Sequence, residues 1–440
     1  MQQVTDINPK IGKYRWTICA LVFFATTVNY LDRQVISLLK PFLETEFHWT
    51  ETDYANIIFV FQLCYAIGML GVGYIIDKIG TKLGYSLSLF VWSIAAILHA
   101  VAKSTAGFAV WRGLLGVSEA GNFPAAIKVI AEWFPKKERA LATGIFNSGT
   151  NIGAIIAPLV VPWIAVTWGW QEAFIITGAI GLIWLIFWFI IYEVPRKHNK
   201  LSQAEYKYIH SDDDDKTEAQ LARDKVKVPW LSLLKFKQTW AFFIGKFMTD
   251  PIWWFFLFWL PAFLKAEYNL TGMQVSLPLA IVYSMTTVGS IFGGWLPMLF
   301  MKNGMDAVKA RKRLMLIYAF FPLPVLFSQA LGHYSMWFAV IIIGVAASAH
   351  QAWSANIFTT VSDMFPKKAI SSVIGIGGMA GAMGGMLIAK FAGFILDHYK
   401  TAGDIKIGYY VMFLICGLAY LLAWVIMFKI LIPEMKKVDI

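Results

Sequence analysis

Twelve long apolar runs constrain this chain more than any other feature. A bilayer core about 30 Å thick needs about 20 apolar residues at ~1.5 Å rise per helical residue. Runs near that length fall at 16–40, 53–76, 83–102, 106–133, 140–165, 171–192, 238–264, 274–301, 314–331, 335–362, 370–395 and 408–432. They are unbroken rather than ten-residue alternations, which excludes a membrane β-barrel. Composition excludes the soluble classes: 58% of residues are hydrophobic and 15% charged, against about 45–50% and about 25% in soluble domains. Mean hydropathy is +0.60. A cytosolic enzyme, a nucleic-acid module or a disordered chain has no place for such surface. The expected fold is an all-α polytopic membrane protein with twelve transmembrane helices.

The charges test that map. Most of the 38 Lys and Arg fall in the tails, in the loops 77–82, 134–139, 302–313 and 365–369, and in the segment 193–237. The opposite loops hold only Lys40, Lys103, Lys265, Lys400 and Lys406. Basic residues accumulate on the cytoplasmic side, so both termini are expected in the cytoplasm, and the net charge of +11 reflects topology rather than a nucleic-acid partner. Trp16, Trp133, Trp168, Trp170, Tyr192, Tyr268, Tyr334 and Tyr409 crowd the run ends, as an interfacial belt does. The first run is about 25 residues long with no small-residue cleavage site, so it reads as a retained helix rather than a signal peptide. Cys19, Cys64 and Cys416 lie inside apolar runs and imply neither a disulfide framework nor a metal site.

The polar stretch 193–237, with its run Ser211 to Lys216, divides the chain into an N-terminal six-helix half (1–192), a cytoplasmic linker (193–237) and a C-terminal half (238–440). The acidic run reads as a solvated loop. The halves repeat. Phe134-Pro135-Lys136-Lys137 recurs as Phe365-Pro366-Lys367-Lys368, and at the same offset Glu132 matches Asp363, Gly144 matches Gly375 and Gly153 matches Gly384. Both copies join equivalent spans, so the repeat is parallel, with its axis along the membrane normal.

Charges inside the spans are costly and usually mark a pathway. Span one holds Tyr30, Asp32 and Arg33; span four holds Arg112 and Glu119. Counted from the outer ends, Arg33 and Arg112 both lie about 10 Å deep, and Glu119 about 10 Å deeper on the face of Arg112. Two arginines facing one cavity favour an anion, because each guanidinium can grip a carboxylate through two bonds. The carboxylates of Asp32 and Glu119 are the natural proton carriers. The bland alternative is two static ion pairs stapling the spans, but buried pairs are a poor route to stability.

Further polar residues sit at plausible lining positions: Gln62 and Tyr65 on span two, Asn147 and Asn151 on span five, and Gln351, Ser354 and Asn356 beside His350 on span ten. His350 alone reads as a structural histidine. On span seven, Lys246 and Asp250 form an i,i+4 pair before Pro251, with Trp253 and Trp254 next to it. A helix broken by proline is tolerated where it lines a cavity. The tryptophans offer flat faces to a sugar ring, or pack against lipid. Asp77 and Lys78, in the loop after span two, and Arg139 read as gate or structural charges, as do Lys246 and Asp250. Gly149/Gly153 and Gly377/Gly381/Gly385 are spaced for close helix approach. The sequence shows no nucleophile constellation, phosphate loop or metal cluster. No enzyme, cofactor or metal is expected.

The segment Gly73–Lys82 resembles the signature of the major facilitator superfamily, with Lys78 in place of the usual Arg. Several stretches resemble its anion:cation symporter family: Asn29–Arg33, Arg112–Ala120 followed by Phe123-Pro124, Trp133–Pro158, Lys246–Pro261 and Ala349–Gly385. They are similar to bacterial hexuronate transporters in particular. That resemblance implies two six-helix halves and uptake of an organic anion driven by protons. It assigns the substrate carboxylate to Arg33 and Arg112, proton carriage to Asp32 and Glu119, and sugar contacts to Tyr30 and Tyr65. Relatives for aldonates carry Gln where this chain has Thr150, which disfavours an aldonate and leaves Asn147 or Asn151 to replace the contact. The expectation is a proton-coupled hexuronate symporter (glucuronate or galacturonate), multi-pass in a bacterial inner membrane, monomeric, with a small anionic sugar acid, protons and the lipid bilayer as its partners. A symporter for another sugar acid or small carboxylate is the alternative. An intramembrane enzyme or a receptor fits less well, because neither a reactive group nor a signalling domain is visible.

Overall fold

The computed structural model describes residues 11–211, 230–302, 304–305, 307–365 and 367–438. The acidic residues 212–215 lie outside the described residues, as do the side chains of Asp77, Arg139 and Asp363. Among the described residues the protein is helical throughout, without strands. The first half contains α1 (Tyr14–Phe47), α2 (Glu51–Ile79), α3 (Thr81–Leu98), α4 (Thr105–Glu119), α5 (Asn122–Trp133), α6 (Lys136–Trp168) and α7 (Trp170–Ile191). Two short helices, α8 (Gln203–Ile209) and α9 (Trp230–Leu233), lie between the halves. The second half contains α10 (Lys237–Tyr268), α11 (Ser276–Lys302), α12 (Ala307–Phe320), α13 (Ser328–Gly332), α14 (Met336–Met364), α15 (Lys367–Thr401) and α16 (Ile405–Val425).

Among the described residues, ten helical stretches are long and apolar enough to cross a membrane. The remaining two spans fall short for informative reasons. In α1, Asn29, Asp32 and Arg33 interrupt the apolar run. The fourth span is split at Ala120-Gly121 into helices of 15 and 12 residues, directly after Glu119. The two exceptions are therefore the spans that carry Asp32, Arg33, Arg112 and Glu119. The ninth span is also discontinuous: α12 ends at Phe320, a 3-10 turn runs over Leu323–Phe327, and α13 completes the crossing. Pro322 and Pro324 lack the N–H groups that a continuous ladder needs.

Large apolar side chains point outward. Ile183, Ile186, Phe187 and Ile190 on α7 are each more than half exposed, the reverse of a soluble surface and the arrangement a hydrocarbon solvent requires.

The internal repeat becomes physical at its glycines. A Cβ on Gly153 would collide with Thr27 O and lie 2.9 Å from Tyr30 Cβ, so α6 rests directly on α1. Its counterpart Gly384 meets Phe247 O and, at 2.6 Å, Pro251 Cγ, so α15 rests in the same way on α10. The counterparts Gly144 and Gly375 both face open space. In each half, then, the same helix packs tightly midway and stands free at its start.

The halves meet along α2 with α15 and along α6 with α11. The seam is sealed at the end opposite the chain termini. There Asp397 of α15 accepts hydrogen bonds from the backbone N–H groups of Glu51 and Thr52 at the start of α2, at 2.7 and 2.6 Å. Glu51 takes Lys40 at 2.6 Å from its own half and Lys400 at 3.4 Å from the other. Lys265 reaches Glu44 at 3.4 Å, and Tyr54 donates to Phe258 O at 2.8 Å. Lys390 donates to Asn56, and Gly393 packs against Ala55. At the other end, Arg15 pairs with Glu138 at 2.8 Å and Glu205 at 3.1 Å, docking α8 onto α1 and α6.

Candidate functional site

A polar layer crosses the first half near its centre. Arg33 of α1 and Glu119 at the end of α4 form an ion pair at 2.5 Å, both almost wholly buried. Four aromatic rings surround the Arg33 guanidinium: Tyr65 at 4.7 Å, Tyr30 at 4.8 Å, and Phe61 and Trp254 each at 5.6 Å. Such rings attract a cation through their quadrupole. Trp254 belongs to the second half, so the cage is completed across the seam. Arg33 Nη2 retains no hydrogen-bond partner.

Arg112 lies below the Phe61 ring at 4.6 Å and donates to Arg33 O at 2.6 Å and Asp32 O at 3.5 Å. Its donors therefore tie α4 to the α1 backbone. Arg33 and Arg112 do meet in one layer, but Arg112 meets the main chain of α1. The Asp32 carboxylate is 2% exposed as a residue and accepts no hydrogen bond; Thr177 of α7 is the hydroxyl that faces it. Asn29 and Gln62 beside this layer are likewise buried with their side-chain amides unmatched.

A cavity of about 240 Å³ lies at the seam on the other side of these rings. The first half lines it with Tyr30, Tyr65, Met69, Phe123, Asn147 and Thr150. The second half contributes Lys246, Asp250, Trp253, Trp254, His350, Gln351, Ser354 and Phe358. Lys246 and Asp250 pair at 2.7 Å. The Trp253 ring stacks on His350 at 5.5 Å and 7°, and His350 Nδ1 lies 2.8 Å from Tyr420 Oη. His350 is thus held by its neighbours, consistent with a structural role. A larger crevice of about 520 Å³ lies between α10, α15 and α16. It is lined only by apolar residues and glycine and faces outward, so it has the character of a lipid groove.

Tyr30, Tyr65, Asn147, Trp253, Gln351, Ser354, Lys246 and Asp250 therefore share one cavity. Arg33, Arg112, Asp32 and Glu119 do not line it: the Tyr30, Tyr65 and Trp254 rings stand between. Two expected lining residues are not among those that line it. Asn356 donates to Gly293 O and Ala352 O, both at 2.8 Å, and fastens α14 to α11. Asn151 is buried with its carbonyl oxygen unmatched, one residue past Thr150, which does line the cavity. Helical phase accounts for this: Asn147 and Asn151 are four apart, but Thr150, three residues on, tracks the cavity. Lys78 is exposed at the end of α2. Phe123, Met69 and Phe358 also line the cavity, and no polarity signal marks them.

The family profile described as Major Facilitator Superfamily matches residues 22–389. The chain is 32% identical over 390 residues to the hexuronate transporter of Escherichia coli (strain K12), covering 88% of this chain and 89% of that protein. It is 36% identical over 293 residues to the galacturonate transporter of Dickeya chrysanthemi, covering 67% and 84%. Among solved structures, a bacterial homolog of the human lysosomal transporter Spinster, in an inward-facing and occupied conformation, superposes with a TM-score of 0.76 at 17% identity. That match covers 98% of this chain and all of the other. The twelve-helix fold, the family profile and two transporter relatives agree, and the chain belongs to the Major Facilitator Superfamily.

Proposed function

We propose that the protein is a proton-coupled symporter that imports a hexuronate, glucuronate or galacturonate, by alternating access. In this reading residues 193–237 link the halves on the cytoplasmic side, both termini lie there, and the carrier works as a monomer. The observation that carries it is the pairing of a polar, tryptophan-flanked cavity with a caged arginine behind its aromatic wall. A pyranose ring has an apolar face suited to Trp253 or Trp254 and hydroxyls suited to Asn147, Thr150, Gln351 and Ser354. Its carboxylate needs a cation, and Arg33 already binds a carboxylate, that of Glu119. Substrate carboxylate and Glu119 therefore compete for one guanidinium. Protonation of Glu119 frees Arg33, and rotation of Tyr30 or Tyr65 opens the way to it. Asp32, buried with the Thr177 hydroxyl facing it, is the second proton carrier. The relatives named for hexuronate and galacturonate transport support the substrate class.

The closed end and the free glycines at the other end fit a carrier open towards the termini. Uptake into proteoliposomes tests the reading. With an acid exterior, labelled glucuronate or galacturonate should accumulate above equilibrium, and a protonophore should abolish the accumulation. Absence of accumulation under every gradient and with every sugar acid overturns symport.

A further inference from the structure

Lys246 and Asp250 are the two formally charged side chains among the described residues that line the cavity, and they neutralise each other at 2.7 Å. The pair is rigidly mounted. Both residues lie one helical turn apart on α10, and Lys246 Nζ sits over the Phe358 ring at 4.5 Å. Asp250 is pressed against α15 at Gly381, where a Cβ would collide with its carboxylate. Beside the pair, Trp253 and Trp254 are held flat by stacking on His350 and Phe258.

We propose that this pair is the specificity filter of the carrier: it reads sugar hydroxyls and excludes a second carboxylate, so that sugar monoacids are taken and sugar diacids refused. The proposal rests on the sugar-acid reading above. A paired ammonium and carboxylate offers one set of donors and one set of acceptors, which is what adjacent hydroxyls need. A uronate whose carboxylate points to Arg33 presents hydroxyls here. A diacid of the same chain length presents a second carboxylate, which finds the Lys246 ammonium already held by Asp250 and meets Asp250's like charge if it competes for it. Discrimination by such repulsion is a common way to reject a near-isosteric competitor.

The test compares binding of glucuronate and glucarate to the purified full-length protein by titration calorimetry. The wild type is expected to bind glucuronate at least about tenfold more tightly than glucarate, since a neutral pair leaves the second carboxylate buried without a counter-ion, which costs more than about 1.4 kcal/mol. Asp250→Asn keeps the shape, frees the Lys246 ammonium and should bring glucarate binding level with glucuronate or above it. Lys246→Gln reads the filter independently of whether Asp250→Asn folds: it leaves the carboxylate alone and should widen the discrimination. The double variant Lys246→Gln/Asp250→Asn should not gain glucarate. A wild type that binds both acids equally, or a ratio unmoved by either single variant while glucuronate still binds, overturns the filter alone. A wild type that binds neither acid overturns the sugar-acid reading itself.

Discussion

Asp397 holds the sealed end of the protein shut by capping a helix in the other half. All four leading N–H groups of α2 are accounted for: Asp53 N goes to the Thr50 hydroxyl at 3.0 Å and Tyr54 N to Thr50 O at 3.2 Å. Glu51 N and Thr52 N have only Asp397, 346 and 345 residues away. Opening this end must therefore break both bonds. A hydrogen bond to a charged group contributes about 1.5–3 kcal/mol net. Asp397 is half-buried and water can replace it, so the lower figure applies, about 3 kcal/mol for the two. At about 1.4 kcal/mol per factor of ten, Asp397→Ala should shift the balance between closed and open states of this end about a hundredfold towards open. Asp397→Asn, a neutral acceptor, should fall between. Spin labels at Thr45 and Thr401, both exposed at this end on opposite sides of the seam, report the distance by double electron–electron resonance in nanodiscs. Asp397→Ala should add a longer-distance population that the wild type lacks. If the folded variant keeps the wild-type distance distribution, the cap does not govern the gate and the reasoning fails.

Gly153→Val should overpack α6 on α1 and lower stability by about 1–3 kcal/mol, read as a drop in melting temperature in detergent; Gly144→Ala, with nothing within 4 Å of its Cβ, should leave it unchanged. Glu119→Gln should abolish acid-driven accumulation while retaining counterflow exchange, and wild-type accumulation by that variant would remove Glu119 from coupling. Arg112→Ala should abolish uronate binding, because Arg112 fixes the α1 backbone at Arg33; unchanged affinity in calorimetry would refute this. At the membrane edge, the hydrogen bond from Lys82 at 3.0 Å holds the Glu193 carboxyl below its ordinary value of 4.5. The lowered folded value means that the contribution is present above pH 4.5 and vanishes as pH falls through that lower value. Glu193→Gln should thus flatten the melting temperature in that acid window by an amount set by a surface pair, about 0.2–1 kcal/mol.

The sequence legibly encoded the features that depend on local pattern. Run length and hydropathy marked the spans, because insertion in lipid depends on a helix's own residues. The offset pairing Gly153 with Gly384 was readable as text, and the structure shows both glycines serving the same contact in their halves. Asp32, Arg33, Arg112 and Glu119 stood out because charge is rare inside such runs. The ninth span was harder: Pro322 and Pro324 were visible, yet the broken helix needed coordinates. Asn151 and Asn356 lie outside the cavity lining, because spacing alone sets which residues share a face, not which face meets the cavity.

What the sequence by itself determined is therefore the solvent, the number of crossings, the repeat and the set of charges worth explaining. The tertiary structure decided where those charges point. Rings from α1, α2 and α10 wall Arg33 off from the cavity, leaving Lys246 and Asp250 as the charges facing it. The cap on α2 likewise comes from a carboxylate on α15. The physical reason is the range of the interactions. Transfer into lipid is a sum over neighbours in sequence, whereas a cage, a cavity wall or a gate exists only where side chains far apart in the chain converge.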